Sequence, residues 1–150
     1  KHKFPHKLVL VGPEDDPTNS KILRSTKVQK YDEDIVHLGY LSDAELERAY
    51  SDASVFAFPS FFEGFGIPPL EAMACGTPVV ASNRTAIPEI LDNAAHYVNP
   101  DNSADIAAGL ATVLSDEYYR SELVERGYQR AQSFTWERSS QKLLNVLTSI

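Results

Sequence analysis

Three features of this chain predict an α/β fold built on a mostly parallel sheet flanked by helices. Short β-branched and aromatic runs alternate with segments of helical period, the pattern of strands joined by helical crossovers. Glycines and a pair of glutamates fall in the loops that follow the expected strands, where such sheets bind ligands. A length of 150 residues is enough for one sizeable core, so residues 1–150 are expected to form a single domain.

The elements follow in order. Lys7–Val11 (KLVLV) reads as a strand ending at Gly12-Pro13. The polar loop EDDPTNS comes next, and Asn19-Ser20 can cap a helix over about Lys21 to Lys30. Ile35–Leu38 is a second strand, closed by Gly39. Ser42 with Glu45 three residues on forms a capping box, opening a helix with Leu46, Ala49 and Tyr50 on its apolar side. Val55–Phe58 and Val79–Ala81 are the third and fourth strands. A short helix covers Ile87–Leu91, and His96–Val98 is a fifth strand. Ser103 is read as the cap of an amphipathic helix bearing Ile106, Leu110, Val113 and Leu114. Helices over Glu117–Gln132 and Trp136–Ile150 end the chain, with Trp136 expected in the core.

The stretch Ser54–Ser82 organises the rest. After the third strand the loop PSFFEGFG places Gly64 and Gly66 two apart, which lets backbone approach a ligand. Pro68 and Pro69 stand where a helix begins, because a missing N–H costs little in a first turn. Leu70–Cys75 are good helix formers, Gly76 suits a left-handed C-terminal cap, and Pro78 prevents continuation. A helix start offers free N–H groups and a positive dipole end, which suits an anion such as a diphosphate. Glu63 and Glu71 bracket this loop with seven residues between them. One acid there is equally well a solvated first-turn residue; two around a Gly-Phe-Gly turn are harder to explain that way.

Composition narrows the partners. Lys plus Arg number 14 against 21 Asp plus Glu, a net charge of −7, which argues against nucleic acid or an anionic membrane surface. The single cysteine, Cys75, rules out a disulfide framework within the chain and reads as a buried structural thiol. No run approaches the ~18 apolar residues of a membrane span, and no signal peptide is visible, so the expectation is a cytoplasmic protein. His2 and His6 are expected on the surface and His37 and His96 packed in strands; no two are spaced as metal ligands. Arg84 is the cation best placed near the expected cleft, with a surface role and a diphosphate or acceptor role both open.

Glu63-Gly64-Phe65-Gly66-Ile67-Pro68-Pro69-Leu70-Glu71, followed by Ala72-Met73-Ala74-Cys75-Gly76-Thr77-Pro78-Val79-Val80, resembles the E-x7-E signature of retaining glycosyltransferases of the GT-B fold. The resemblance is to family 4, the glycosyl transferases group 1, and extends to Gly39-Tyr40-Leu41, Ser60 and Pro88-Glu89. It implies a Rossmann-like domain that binds a nucleotide-diphosphate sugar, a UDP- or GDP-hexose, as substrate and requires no cofactor or metal. By that resemblance Glu71 would bind the donor ribose, and Glu63 would lie against the donor sugar near the reacting centre. The N–H groups around Phe65, Gly66 and Ile67 would hold sugar and diphosphate. Gly12, Gly64 and Leu70 complete the expected donor contacts. Tyr40 and Leu41 resemble the base-binding turn, although a hydrophobic staple for the helix after Ser42 explains either residue as well.

Relatives of this kind carry one more strand and helix, with an Arg and a Lys that clamp the diphosphate, and an acceptor-binding N-terminal domain. Neither has a counterpart here. The expectation is therefore the donor-binding portion of a longer enzyme, inactive alone, which transfers a hexose to a glycan or lipid-linked acceptor with retention. The acceptor, and any contact with the inner face of the membrane, would come through the absent domain. An open sheet edge left by the missing strand could form a homodimer. The alternatives are a GT-B sugar-nucleotide epimerase and a non-catalytic α/β nucleotide-binding module. The latter is disfavoured because Gly64-Phe65-Gly66 is only half of G-x-G-x-x-G, with Pro69 at the third glycine.

Overall fold

The computed structural model describes residues 4–13 and 31–149, which fall into two compact units, Lys1–Leu46 and Glu47–Ile150. The expected helix over Lys21 to Lys30, and His2, lie outside the described residues.

In the first unit, β1 (Leu8–Leu10) pairs in parallel with β2 (Ile35–His37), Val9 opposite Val36. The ladder runs on past the strands through Leu38 N–H to Leu10 O at 3.0 Å and Gly12 N–H to Gly39 O at 2.9 Å. Each strand is slightly shorter than its apolar run suggests. Helix α1 (Asp43–Asp52) begins in this unit and ends in the second. Half of its capping box is present: the Ser42 N–H donates to Glu45 Oε2 at 2.9 Å, while the Ser42 hydroxyl donates to that same oxygen at 2.6 Å. Those two bonds hold the Glu45 carboxyl below its ordinary pKa.

The second unit holds the parallel sheet β3 (Phe56–Phe58), β4 (Val79–Ser82) and β5 (Ala95–Val98), in the order β3-β4-β5. The five described strands thus form two parallel sheets rather than one. β4 is buried along its whole length, which is why its sequence is uniformly small or apolar instead of alternating. Helix α2 (Ile67–Ala74) joins β3 to β4, and α3 (Ile87–Leu91), with a 3-10 turn at Asp92–Ala94, joins β4 to β5. Helices α4 (Ser103–Ser115), α5 (Glu117–Ala131) and α6 (Trp136–Thr148) follow. Val80 and Val98 of the sheet close a core with Val113 of α4 and Leu123 of α5, all at most 1% exposed. Ile106 and Leu110 pack against it, as the helical spacing predicts.

Three local expectations need correction. Asn102, not Ser103, caps α4: its extended backbone turns Oδ1 toward the N–H groups of Ala104 and Asp105, leaving Ser103 as the first helical residue. Trp136 is 88% exposed rather than in the core. Thr135 caps α6 by accepting from Arg138 N–H, and no residue of α6 is buried. Helix α2 starts at Ile67 with Gly66 at its N-cap, so Pro68 and Pro69 stand in the first turn as expected. Cys75 follows α2 as its C-cap and is half-buried. Burial first, and the Glu47 carboxylate second, push its thiol pKa up, consistent with a structural role. Gly76 takes the expected left-handed conformation with φ 78°.

Candidate functional site

The carboxyl end of β3 leads through Pro59–Gly66 into α2. Gly66 adopts φ 106° and ψ 56°, and no side chain caps the helix. A β-carbon there would sit 2.7 Å from Cδ1 of the buried Ile87, so glycine is required both by conformation and by contact. Pro68 and Pro69 carry no N–H. The donors at this helix start are therefore confined to Ile67 and the loop residues before it, while the dipole of the helix remains. Gly64 differs: its φ is not positive, and an added β-carbon would meet nothing within 4 Å.

Glu63 is held from two sides. The Ser60 hydroxyl donates to Glu63 Oε1 at 2.9 Å, and the Glu63 N–H donates to Thr85 Oγ1 at 3.1 Å. Thr85 lies in the loop after β4 with φ 53°, a left-handed conformation that is costly for a β-branched residue. Next to it Arg84 forms an ion pair with Asp101 in the loop after β5, and both side chains are about half exposed. The loops at the carboxyl ends of all three strands are thus tied side to side, Glu63 to Thr85 and Arg84 to Asp101. Of the two roles left open for Arg84, the surface ion pair is the one the structure displays.

Glu71 projects from the second turn of α2 as an exposed residue. The Tyr50 phenol on α1 donates to its Oε2 at 3.2 Å. The Tyr50 ring is buried and meets Phe56 edge-on, centroids 5.2 Å apart. Thr77 Oγ1 donates to the Tyr50 carbonyl at 2.5 Å. Burial first, then the adjacent Glu71 charge, raises the phenol pKa. Tyr50 therefore stays protonated and donates while Glu71 accepts.

Apolar side chains line the same loop in the open: Phe61, Phe62, Phe65 and Ile67 are 62%, 78%, 42% and 58% exposed. Phe65 touches the Phe134 ring edge-on at 5.7 Å. Leu70, expected to contact the donor, is buried within α2. In the first unit, Gly12 and Tyr40 each follow the carboxyl end of a strand; Tyr40 is 85% exposed and Leu41 is half-buried. His96 is tied through Nδ1 to the Tyr119 hydroxyl at 3.0 Å. Among the described residues no cluster of His, Cys, Asp or Glu could hold a metal ion, and no helix is long and apolar enough to cross a membrane.

The sequence reading brought Glu63, Gly64, Phe65, Gly66, Ile67 and Glu71 to one loop and helix start, and the structure places them there. It missed Tyr50, Thr85, Asp101 and Phe134. Tyr50 was visible only as part of the apolar side of its helix. The others gave no local signal, since each acts across the fold.

The family model described as Glycosyl transferases group 1 matches residues 2–130. Over 112 residues the chain is 40% identical to O-antigen chain mannosyltransferase B of Escherichia coli, covering 75% of this chain and 29% of that protein. The structure superposes on sucrose-phosphate synthase from Thermosynechococcus elongatus with a TM-score of 0.84 at 26% identity, over 96% of this chain and 39% of that one. It also matches the C-terminal domain of the glycosyl transferase group 1 family protein LpcC from Francisella tularensis, with a TM-score of 0.71 at 29% identity, over 85% of this chain and 68% of that one. The chain spans under a third of the length of the Escherichia coli relative.

Proposed function

We propose a function from one premise: this chain belongs to the glycosyl transferases group 1 family. It is the donor-binding part of a retaining glycosyltransferase that uses a nucleotide-diphosphate hexose. The observation that carries this reading is the Glu63–Glu71 bracket around a loop and helix start at the carboxyl end of β3. In such sheets that end receives ligands, and a helix start favours an anion.

The roles follow from the chemistry of each group. Glu71, steadied by the Tyr50 phenol, accepts from the ribose hydroxyls. Glu63, steadied by Ser60 and Thr85, accepts from the donor sugar hydroxyls and fixes the ring at the reacting centre. The N–H groups of Phe65, Gly66 and Ile67 receive the diphosphate. Negative charge grows on that diphosphate as the glycosidic bond breaks, so donors aimed there stabilise the transition state more than the ground state. The diphosphate departs with the electrons of its bond to the anomeric carbon, the acceptor hydroxyl attacks that carbon on the same face, and its proton passes to the departing phosphate, which retains configuration. For the first unit taken by itself, the family resemblance assigns Tyr40 and Leu41 to a nucleotide base and Gly12 to close backbone approach. The relative named a mannosyltransferase supports mannose among the candidate hexoses. The acceptor is a glycan or lipid-linked sugar, bound by parts of the protein beyond this chain.

Protein NMR of the chain with UDP, GDP, UDP-glucose and GDP-mannose tests the donor reading. Shifts at Gly64–Ile67 and Glu71 with compounds of one base are expected; no shift with any of the four contradicts it. The anomeric proton coupling of the product made by the intact enzyme tests retention, and an inverted product would overturn that part.

A further inference from the structure

We propose that Phe134, held in place by Arg130, is a positioning residue for the Phe65–Ile67 backbone. Through Phe65 it fixes the N–H groups that receive the sugar-diphosphate. The inference rests on the donor-binding reading above and assigns a residue beyond the family match, which ends at residue 130.

Phe65 lies between Gly64 and Gly66, so its backbone has few local restraints. Two tertiary contacts replace them. Gly66 runs so close to Ile87 of α3 that a β-carbon on it would stand 2.7 Å from Ile87 Cδ1, and the Phe65 ring meets the Phe134 ring at 5.7 Å with an interplanar angle of 89°. Phe134 lies in the link between α5 and α6, and its N–H donates to Ala131 O at 3.0 Å. The guanidinium carbon of Arg130 stands 4.9 Å from the Phe134 ring centroid. Arg130 also donates from Nε to Ile90 O at 2.7 Å and from Nη2 to Glu89 O at 2.8 Å. Those carbonyls belong to α3, the same helix whose Ile87 leaves no room for a β-carbon at Gly66. The loop, α3 and the α5–α6 link therefore form a closed circuit, with Arg130 as its clasp. Guanidinium geometry suits both tasks, because its edge donates while its face stacks. The role assigned to Phe134 and Arg130 acts through Phe65 and asks no donor contact of either.

The test compares Phe134→Leu, Phe134→Tyr and Arg130→Lys with the unaltered protein. Titrations use UMP and GMP against UDP-glucose and GDP-mannose, beside NMR order parameters of the Phe65, Gly66 and Ile67 amides. Loss of the edge-to-face ring pair in Phe134→Leu is expected to weaken nucleotide-sugar binding about threefold to tenfold. Monophosphate binding should stay unchanged, because a monophosphate lacks the moiety that the loop receives. Order parameters at the three amides should fall, and Phe134→Tyr should restore both readouts. Arg130→Lys, which keeps the charge but loses the fork, should fall between. Equal weakening of monophosphate and nucleotide sugar would mean a merely structural role and overturn the proposal. Unchanged order parameters in Phe134→Leu would overturn it whatever the binding. If the unaltered protein binds none of the four compounds, the donor reading fails and the positioning role falls with it; lowered order parameters would then show that the anchor itself stands.

Discussion

The Tyr50 phenol donates to Glu71 Oε2 at 3.2 Å, joining a buried ring on α1 to an exposed carboxylate on α2. A buried donor aimed at an exposed acid orients that acid while leaving its other lone pairs for a ligand. Tyr50→Phe removes the donor and keeps the ring against Phe56. The expected stability loss is about 1 kcal/mol by urea unfolding. Affinity for nucleotide sugar should fall severalfold as the carboxylate loses its fixed direction. Unchanged affinity would show that Glu71 needs no support.

The two loop glycines separate folding from binding. Gly66→Ala puts a methyl 2.7 Å from Ile87 Cδ1 at a φ of 106°, so a loss of about 2–3 kcal/mol in unfolding free energy is expected. Gly64→Ala meets nothing within 4 Å and needs no unusual backbone, so its stability should change by under about 0.5 kcal/mol. If the loop receives the donor closely, Gly64→Ala should still bind nucleotide sugar less well. Native affinity in that variant would place the donor away from Gly64.

Thr85 accepts the Glu63 N–H and carries backbone strain to do so. Thr85→Val keeps the shape and loses the acceptor, leaving an N–H without its bond at a cost of about 1 kcal/mol. Turnover of the intact enzyme should drop while Thr85→Ser recovers it. A Thr85→Val enzyme with full turnover would remove Thr85 from the support of Glu63.

Two tyrosines predict alkaline weakening. Burial, then the Asp92 carboxylate, pushes the Tyr97 phenol from 10.0 up to about 12, and burial with Glu71 raises Tyr50 as well. Below the unfolded value of 10.0 both phenols are protonated whether the chain is folded or not, so their contribution is complete. As pH rises above it, the unfolded chain releases protons that the folded chain keeps, and stability falls. Urea midpoints should hold to about pH 9 and decline toward pH 12, with a shallower decline in Tyr97→Phe.

Much of this was legible because the signals were local. Pro68-Pro69 and Gly76-Thr77-Pro78 bound α2 to within a residue, and the apolar runs located every described strand. Glu63 and Glu71 stood out through spacing and through the turn between them. Errors came where two residues of one type competed or where residue type misled. Asn102 and Ser103 both suit a cap, and only the extended backbone at Asn102 decides between them. Trp136 looks like core by type, but it is exposed on a helix without buried residues. The supports of the site were hidden for a different reason. Tyr50 reaches Glu71 across 21 positions, Glu63 reaches Thr85 across 22, and Phe65 meets Phe134 only after three strands and four helices have packed. No window of sequence contains such pairs.

The most direct measurement of the donor assignment is calorimetric titration of the chain and of Glu71→Ala with UDP-glucose and GDP-mannose, beside an unfolding curve for each. The account predicts that one donor binds the unaltered chain. Glu71→Ala should then bind it at least about tenfold more weakly, the loss of hydrogen bonds to a charged group. Its unfolding free energy should fall by only about 1 kcal/mol, the Tyr50 hydrogen bond that the substitution also removes, so a folded protein remains to be titrated. Equal binding by both proteins would contradict the account and take Glu71 out of the donor site.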